Sequence, residues 1–338
     1  MSNTFVHLHL HTEYSLVNGM IRLPALIDQT LRNQMPAVAI TDIGNLYGTV
    51  KFFNKCVAQG IKPIIGAEVY IENPDKISQP YALVLLVQND EGYRNISQLI
   101  SRAFRKGQHQ SVPIIKKAWL DNNTEGLIAL SGAQRGELGA AISANRPKLQ
   151  ETVLIEYCRL FPDRFYIEIQ RVGRAYEEQY INNAAKLAAE YSVPLVATND
   201  AHFMQENEYD AHEVRVCISE GRVLNDTRRV KHHTPQQYYK NSQQMIELFA
   251  DIPSAIENTV LVAQRCNFKL HMGEYFLPDF PVPKEESIGS FLAQQSELGL
   301  QAILLRQFPD GIDEKTRSEY HERMNFELKI INEMGFPG

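Results

Sequence analysis

Short apolar runs rich in β-branched residues alternate with amphipathic stretches of helical period, and this alternation limits the possible folds more than any other feature of the chain. The runs are residues 5–10, 37–41, 63–66, 82–87, 126–130, 165–169 and 195–198, separated by helical patterns such as 23–34, 50–59, 93–105 and 177–191. Strand and helix in strict turn predict an α/β fold with a parallel sheet, because parallel neighbours need a crossover connection that a helix supplies. Such a sheet is either doubly wound or closed into a (β/α) barrel, and seven runs over this length suit the barrel.

The pattern changes toward the C-terminal side. Thr234-Pro235-Gln236-Gln237 predicts a helix start, with an N-cap, a proline at the first helical position and a capping glutamine. Asp251-Ile252-Pro253 predicts another start, its helix running through Ala263. The three prolines of residues 275–284 mark a boundary, so the expected domains are 1–270 and 271–338. Two helical patterns follow, over 288–307 and 313–334, the second carrying Met324, Leu328, Ile331 and Met334 along one apolar side. A helix pair buries such faces poorly by itself, so further surface is expected to cover them.

Charge divides at the same place. Residues 1–270 hold 28 Lys and Arg against 28 Asp and Glu, whereas 271–338 hold 6 against 12, so the whole net charge of -6 lies in the last segment. That balance argues against a general DNA-binding or anionic-membrane surface. The longest apolar run, Tyr81–Val87, is far short of the roughly 20 residues that span a bilayer. The first residues lack the basic and apolar regions of a secretory signal. Cys56, Cys158, Cys217 and Cys266 are widely spaced with no C-x-x-C pair, which fits a reducing cytoplasm and argues against a disulfide scaffold or a cysteine-based zinc site.

The chemistry concentrates at the ends of the runs. In Val6-His7-Leu8-His9-Leu10-His11 an extended backbone puts His7, His9 and His11 on one face and Leu8 and Leu10 on the other. Imidazoles gathered in this way are ligands that Zn²⁺ or Mn²⁺ favours. Asp200 and His202 repeat the spacing just past the last run, while Asp42 and Glu68 follow the second and third. In a (β/α) barrel the C-terminal ends of the strands converge on one rim, so His9, His11, Asp42, Glu68, Asp200 and His202 are expected to meet there.

FVHLHLHTEYS, AITDIGNLYG, IKPIIGAE, LSGAQRGELG and VATNDAH, in this order, resemble the PHP domain that opens the alpha subunits of bacterial replicative DNA polymerases of the polymerase III family. The likeness continues through YDAHEVRV, TPQQYYKNSQQMIELFADIPSAIENT and GEYFLPDFP to NEMGFPG, essentially the whole chain. It implies a (β/α)7-type PHP barrel over 1–270 and the beginning of a mainly helical polymerase palm over 271–338. It also implies that 1–338 is the N-terminal part of a longer subunit, with the polymerase carboxylates and their Mg²⁺ lying downstream.

Family members with a complete PHP site hold three metal ions and can act as exonucleases. The matching residues here are His9, His11, Glu68, Asp200 and His202. Asn18 stands where an acid is usual, Ile43 and Ala82 where histidines are usual, and Ala133 where a cysteine is usual. Too few anionic ligands remain to hold several cations together, so at most one Zn²⁺ or Mn²⁺ on His9, His11, Asp200 and Glu68 is expected. The resemblance therefore implies an inactive scaffold that docks the proofreading exonuclease epsilon subunit. The intact polymerase would engage the sliding clamp, the clamp loader and primer-template DNA, with no membrane. The alternative is an active metal-dependent PHP phosphoesterase, either a 3′–5′ exonuclease or a small-molecule phosphatase. His7 falls outside the matched pair and is expected to be structural, and Arg228–His233 is expected to be a solvated loop.

Overall fold

A computed structural model of the chain describes residues 4–226, 228–274 and 280–338. The chain divides into two compact units, Met1–Leu270 and His271–Gly338. Residues 275–279, half of the proline-rich boundary and most of the GEYFLPDFP motif, lie outside the described residues.

The first unit is built on β1 (Ala37–Ile40), β2 (Lys62–Ile71), β3 (Tyr81–Val87), β4 (Gln108–His109), β5 (Val112–Ile115), β6 (Leu127–Leu130), β7 (Phe165–Gln170) and β8 (Leu195–Thr198). Their neighbours in space run β1-β2-β3-β6-β7-β8, with the β4–β5 hairpin attached to the end of β2. Residues 5–11 complete the circle. On one side the Ala39 and Thr41 N–H groups donate to the His7 and Leu10 carbonyls, and on the other the His11 N–H donates to Ala201 O. Seven segments thus close into a barrel.

One core cluster combines Val6 and Leu8 with Ala39, Ile64, Val84, Ile128, Tyr166 and Val196, a contribution from all seven segments. Only the barrel interior can bring those together. Val262, Ala263 and Cys266, from the helix Pro253–Arg265 and its C-cap, join the same cluster and plug that end. The larger cluster lies between the barrel and its surrounding helices, for example Leu26, Phe52, Leu99, Leu154 and Ile181. Ordinary end signals set these helices. Asn89 caps Asp90–Lys106 by accepting from the Gly92 N–H, with acids in the first turn and Arg105 and Lys106 in the last.

The structure departs from the sequence expectation in four respects. The sheet is mixed, since β3 runs antiparallel to both β2 and β6. The connection 72–80 holds no helix, and without a crossover the chain can only turn back. The short β4–β5 hairpin carries no long apolar run and was not foreseen. Residues 234–237 form a turn in place of a helix start. There the Tyr239 N–H donates to Phe203 O and the Gln237 carbonyl accepts from the His202 N–H, so 237–239 lie extended beside the rim. The helix begins later, at Ser242, with Asn241 and Gln244 forming the capping box.

The fourth departure is in the first segment. Between the two bonds to β1, residues 7 to 10 span the length that 39 to 41 span on the partner. The extra residue is a bulge, and it reverses the alternation after Leu8. Leu8 faces the interior cluster and Leu10 the outer one. His7 consequently parts from His9 and His11. It packs on Tyr239 with ring centroids 4.3 Å apart and donates from Nε2 to the Lys240 carbonyl at 2.8 Å.

The second unit is a helix pair, Ile288–Gln307 and Glu314–Glu333, capped by Ser287 and Asp313. His321 meets Glu297 at 3.3 Å and Phe308 meets Tyr320 edge-on. Leu298, Leu305, Phe326 and Met334 are exposed.

Candidate metal centre

The barrel interior changes character along its axis. Three strands place an apolar side chain toward the plugged end and a polar one toward the opposite rim: Ile64 then Glu68 from β2, Tyr166 then Glu168 from β7, and Val196 then Asp200 from β8 and the residues after it. The bulge sets His9 and His11 at the polar level. His9, His11, Glu68 and Asp200 each offer a ligand atom within 4.8 Å of the others, and all four are buried.

His9 bridges two carboxylates, donating from Nδ1 to Glu168 Oε1 at 2.7 Å and from Nε2 to Glu68 Oε2 at 2.8 Å. His11 donates from Nε2 to Asp200 Oδ1 at 3.1 Å. Arg135 grips both oxygens of Glu68, with Nη1 3.1 Å from Oε1, and reaches Asp200 Oδ2 at 3.6 Å. Arg174 donates to Asp200 Oδ2 at 2.6 Å.

These pairs govern ionisation. Burial by itself would lower the His9 imidazole, but Glu168 and Asp200 overcome it and raise it to about 10. Burial likewise opposes the His11 charge, and Asp200 and Glu68 outweigh it. For Glu68 and Asp200 burial favours the neutral acid, yet Arg135 and the histidines hold both carboxyls well below the usual range. Three carboxylates, Glu68, Glu168 and Asp200, are thus neutralised by Arg135, Arg174 and the imidazolium groups. A metal ion would have to displace some of that positive charge.

The donor set fits one ion and no more. Four donor atoms suffice for zinc, and Glu168 on His9 Nδ1 is the outer partner that orients a metal-binding imidazole. Of the positions where further ligands are usual, Ala82 and Ala133 are buried without donors and Ile43 lines the cleft without one.

The other expected rim residues lie nearby in different roles. Asp42 accepts from the Thr12 N–H at 2.7 Å and from the Thr12 and Ser15 hydroxyls, outside the four-donor cluster. His202 contacts Asp200 Oδ1 at 3.1 Å but belongs to a second group with His212 and His233. The supposed solvated loop contributes one buried and one half-buried group: Arg229 pairs with Glu213, and His233 meets His202 edge-on.

Sequence reasoning missed Arg135, Arg174, Glu168, His212 and His233. Only Glu168 carried a signal, a carboxylate inside the apolar run FYIEIQ. Above the cluster opens a cleft of about 900 Å³, lined by Arg135, Arg174, Asp200, His202, Lys231 and His233 among others. Among the described residues no helix is long and apolar enough to cross a membrane.

A closed α/β barrel with a histidine–carboxylate cluster at its C-terminal rim defines the class, and residues 7–172 match the PHP domain family. Over its whole length the chain is similar to the N-terminal region of bacterial DNA polymerase III alpha subunits. It is 45% identical over 341 residues to DNA polymerase III subunit alpha of Pseudomonas fluorescens, covering 100% of this chain and 29% of that protein. It is 42% identical over 335 residues to the subunit of Escherichia coli K12, covering 99% and 29%. The chain therefore spans under a third of the length of these relatives.

Among solved structures, an amidohydrolase from Chromobacterium violaceum with bound sulfate is 13% identical, covers 63% of this chain and 97% of that one, and has a TM-score of 0.43. A two-domain protein from Bacteroides vulgatus containing a predicted PHP-like metal-dependent phosphoesterase is 12% identical, covers 59% and 52%, and has a TM-score of 0.39.

Proposed function

We propose that the chain is the N-terminal part of the catalytic alpha subunit of a replicative DNA polymerase III, in which the PHP barrel is a non-catalytic scaffold. The observation that carries the scaffold reading is Arg135, which spans Glu68 and Asp200 at the centre of the cluster. Its guanidinium supplies the positive charge that metal ions supply in a working phosphoesterase. Residues 271–338 begin the palm. DNA synthesis belongs to the intact cytoplasmic subunit, whose palm carboxylates bind Mg²⁺ and act on primer-template DNA. The barrel docks the proofreading epsilon subunit, and the assembled polymerase works with the sliding clamp and clamp loader. Loss of an intrinsic nuclease fits this arrangement because editing then resides in a separate chain.

Analytical ultracentrifugation of the chain with its cognate epsilon subunit at micromolar concentrations tests the docking, and absence of a complex would overturn it.

A second reading is favoured by the four-donor cluster. One Zn²⁺ or Mn²⁺ on His9, His11, Glu68 and Asp200 would polarise a phosphoryl oxygen for hydrolysis, as in an exonuclease or a small-molecule phosphatase. Sustained turnover of p-nitrophenyl phosphate or a labelled single strand, with either metal added, would replace the scaffold reading with this one.

A further inference from the structure

Three imidazoles from separate parts of the chain converge beside the four-donor cluster. His202 follows β8, His212 lies on the helix Tyr209–Glu220, and His233 precedes Thr234 in an irregular segment. One ring nitrogen of each lies within 4.8 Å of those of the other two. The Asn18 carbonyl accepts from His202 Nδ1 at 2.6 Å and from His212 Nε2 at 2.8 Å. A carbonyl can only accept, so those two nitrogens carry the protons. With a single proton on each ring, His202 Nε2 and His212 Nδ1 present lone pairs.

Those lone pairs are poorly used by the protein. His212 Nδ1 and His233 Nδ1 are buried without a hydrogen-bond partner, an uncommon condition for buried polar atoms. His202 Nε2 faces a carboxylate oxygen of Asp200 at 3.1 Å, acceptor against acceptor. The carboxylate nearest His212, Glu213, stands 3.9 Å from Nδ1, and its other oxygen is held by Arg229. His212 and His233 lie outside the ligand positions that the family likeness implies.

We propose that His202, His212 and His233 bind a Zn²⁺ ion that clips these three segments together at the rim. Three imidazole nitrogens suit zinc and disfavour Mg²⁺ or Ca²⁺, which prefer oxygen. His202 and His233 line the cleft, so water can take the fourth position. Zinc–nitrogen bonds of about 2.1 Å put tetrahedral donors about 3.4 Å apart, a separation inside the 4.8 Å limit within which the three nitrogens lie. The site is independent of the scaffold reading, because it uses neither Glu68 nor Arg135.

The test is zinc binding by the whole chain after chelation, with stoichiometry by mass spectrometry and affinity by calorimetry. The variants are His233→Gln, on the half-buried member, and Glu68→Gln, which disables only the other cluster. The expected result is one zinc that persists in Glu68→Gln. In His233→Gln it weakens by more than the roughly 100-fold that loss of an outer-shell partner can cost. X-ray absorption at the zinc edge of the unmutated protein gives a readout that does not depend on a variant folding, and three imidazole ligands are expected. Absence of zinc binding, or a zinc that survives His233→Gln but is lost in Glu68→Gln, would overturn the proposal. A ligand shell containing carboxylate oxygen from the protein would do the same.

Discussion

Arg135 and Glu68 form a two-pronged ion pair in which the glutamate side chain is completely buried and the arginine side chain is one-third exposed. Glu68 is held by β2, and Arg135 by the short turn after β6, so the pair ties two strands of the barrel through its polar end. Removing one partner of such a pair strands the other as a buried charge.

Arg135→Ala is therefore expected to destabilise the first unit by about 3 kcal/mol, the low end for a buried pair because the arginine side chain is partly exposed. Urea unfolding measures the loss. The same variant should bind Zn²⁺ or Mn²⁺ at the four-donor cluster more tightly than the parent, since the competing cation is gone.

Restoring the missing ligands separates two effects. Asn18→Asp and Ile43→His change residues lining the cleft and should be tolerated. Ala82→His and Ala133→Cys add atoms at positions 3% and 1% exposed, where overpacking costs about 1–3 kcal/mol. The quadruple variant should gain metal affinity, most strongly when combined with Arg135→Ala. Titration calorimetry that finds no gain would sink the ligand assignment.

Lys240 gives a pH signature. Its ammonium is buried, donates to Asn199 Oδ1 at 3.2 Å and to the Gln236 carbonyl, and burial lowers it from 10.5 to about 8. Between those values the unfolded chain keeps a proton that the native protein has released, so this group makes stability rise with pH across the window, by up to about 3 kcal/mol. Lys240→Met should flatten that rise, as read from urea midpoints on either side of it.

Gly19→Ala should be destabilising out of proportion to its size. A Cβ at Gly19 would stand 2.0 Å from the Thr12 carbonyl oxygen, which belongs to the backbone and cannot yield cheaply. The loss is expected at about 1–3 kcal/mol. Because Asn18 precedes it and holds His202 and His212, imidazole resonances of both should shift in the NMR spectrum.

What could be read from the sequence was what repeats within one segment. The strand positions, H-x-H and N-D-x-H all show in the spacing of neighbouring residues, because side-chain direction in a strand is set locally. That reasoning brought His9, His11, Glu68 and Asp200 to one rim. It misplaced His7 because a bulge, fixed by hydrogen bonds to β1, changes the count by one residue. It also made Thr234 a helix start, where pairing with the segment after β8 overrides a correct local cap.

The tertiary structure alone decided which groups face one another across the barrel. Arg135 lies 67 residues from Glu68, and Arg174 lies 26 from Asp200. Nothing in the spacing of either arginine marks it. The meeting of His202, His212 and His233 follows equally from closure. The sequence by itself determined an α/β barrel carrying histidines and carboxylates at its strand ends. Packing decided that arginine would answer those carboxylates, because a buried charge must find its counterion through space, wherever the chain happens to supply one.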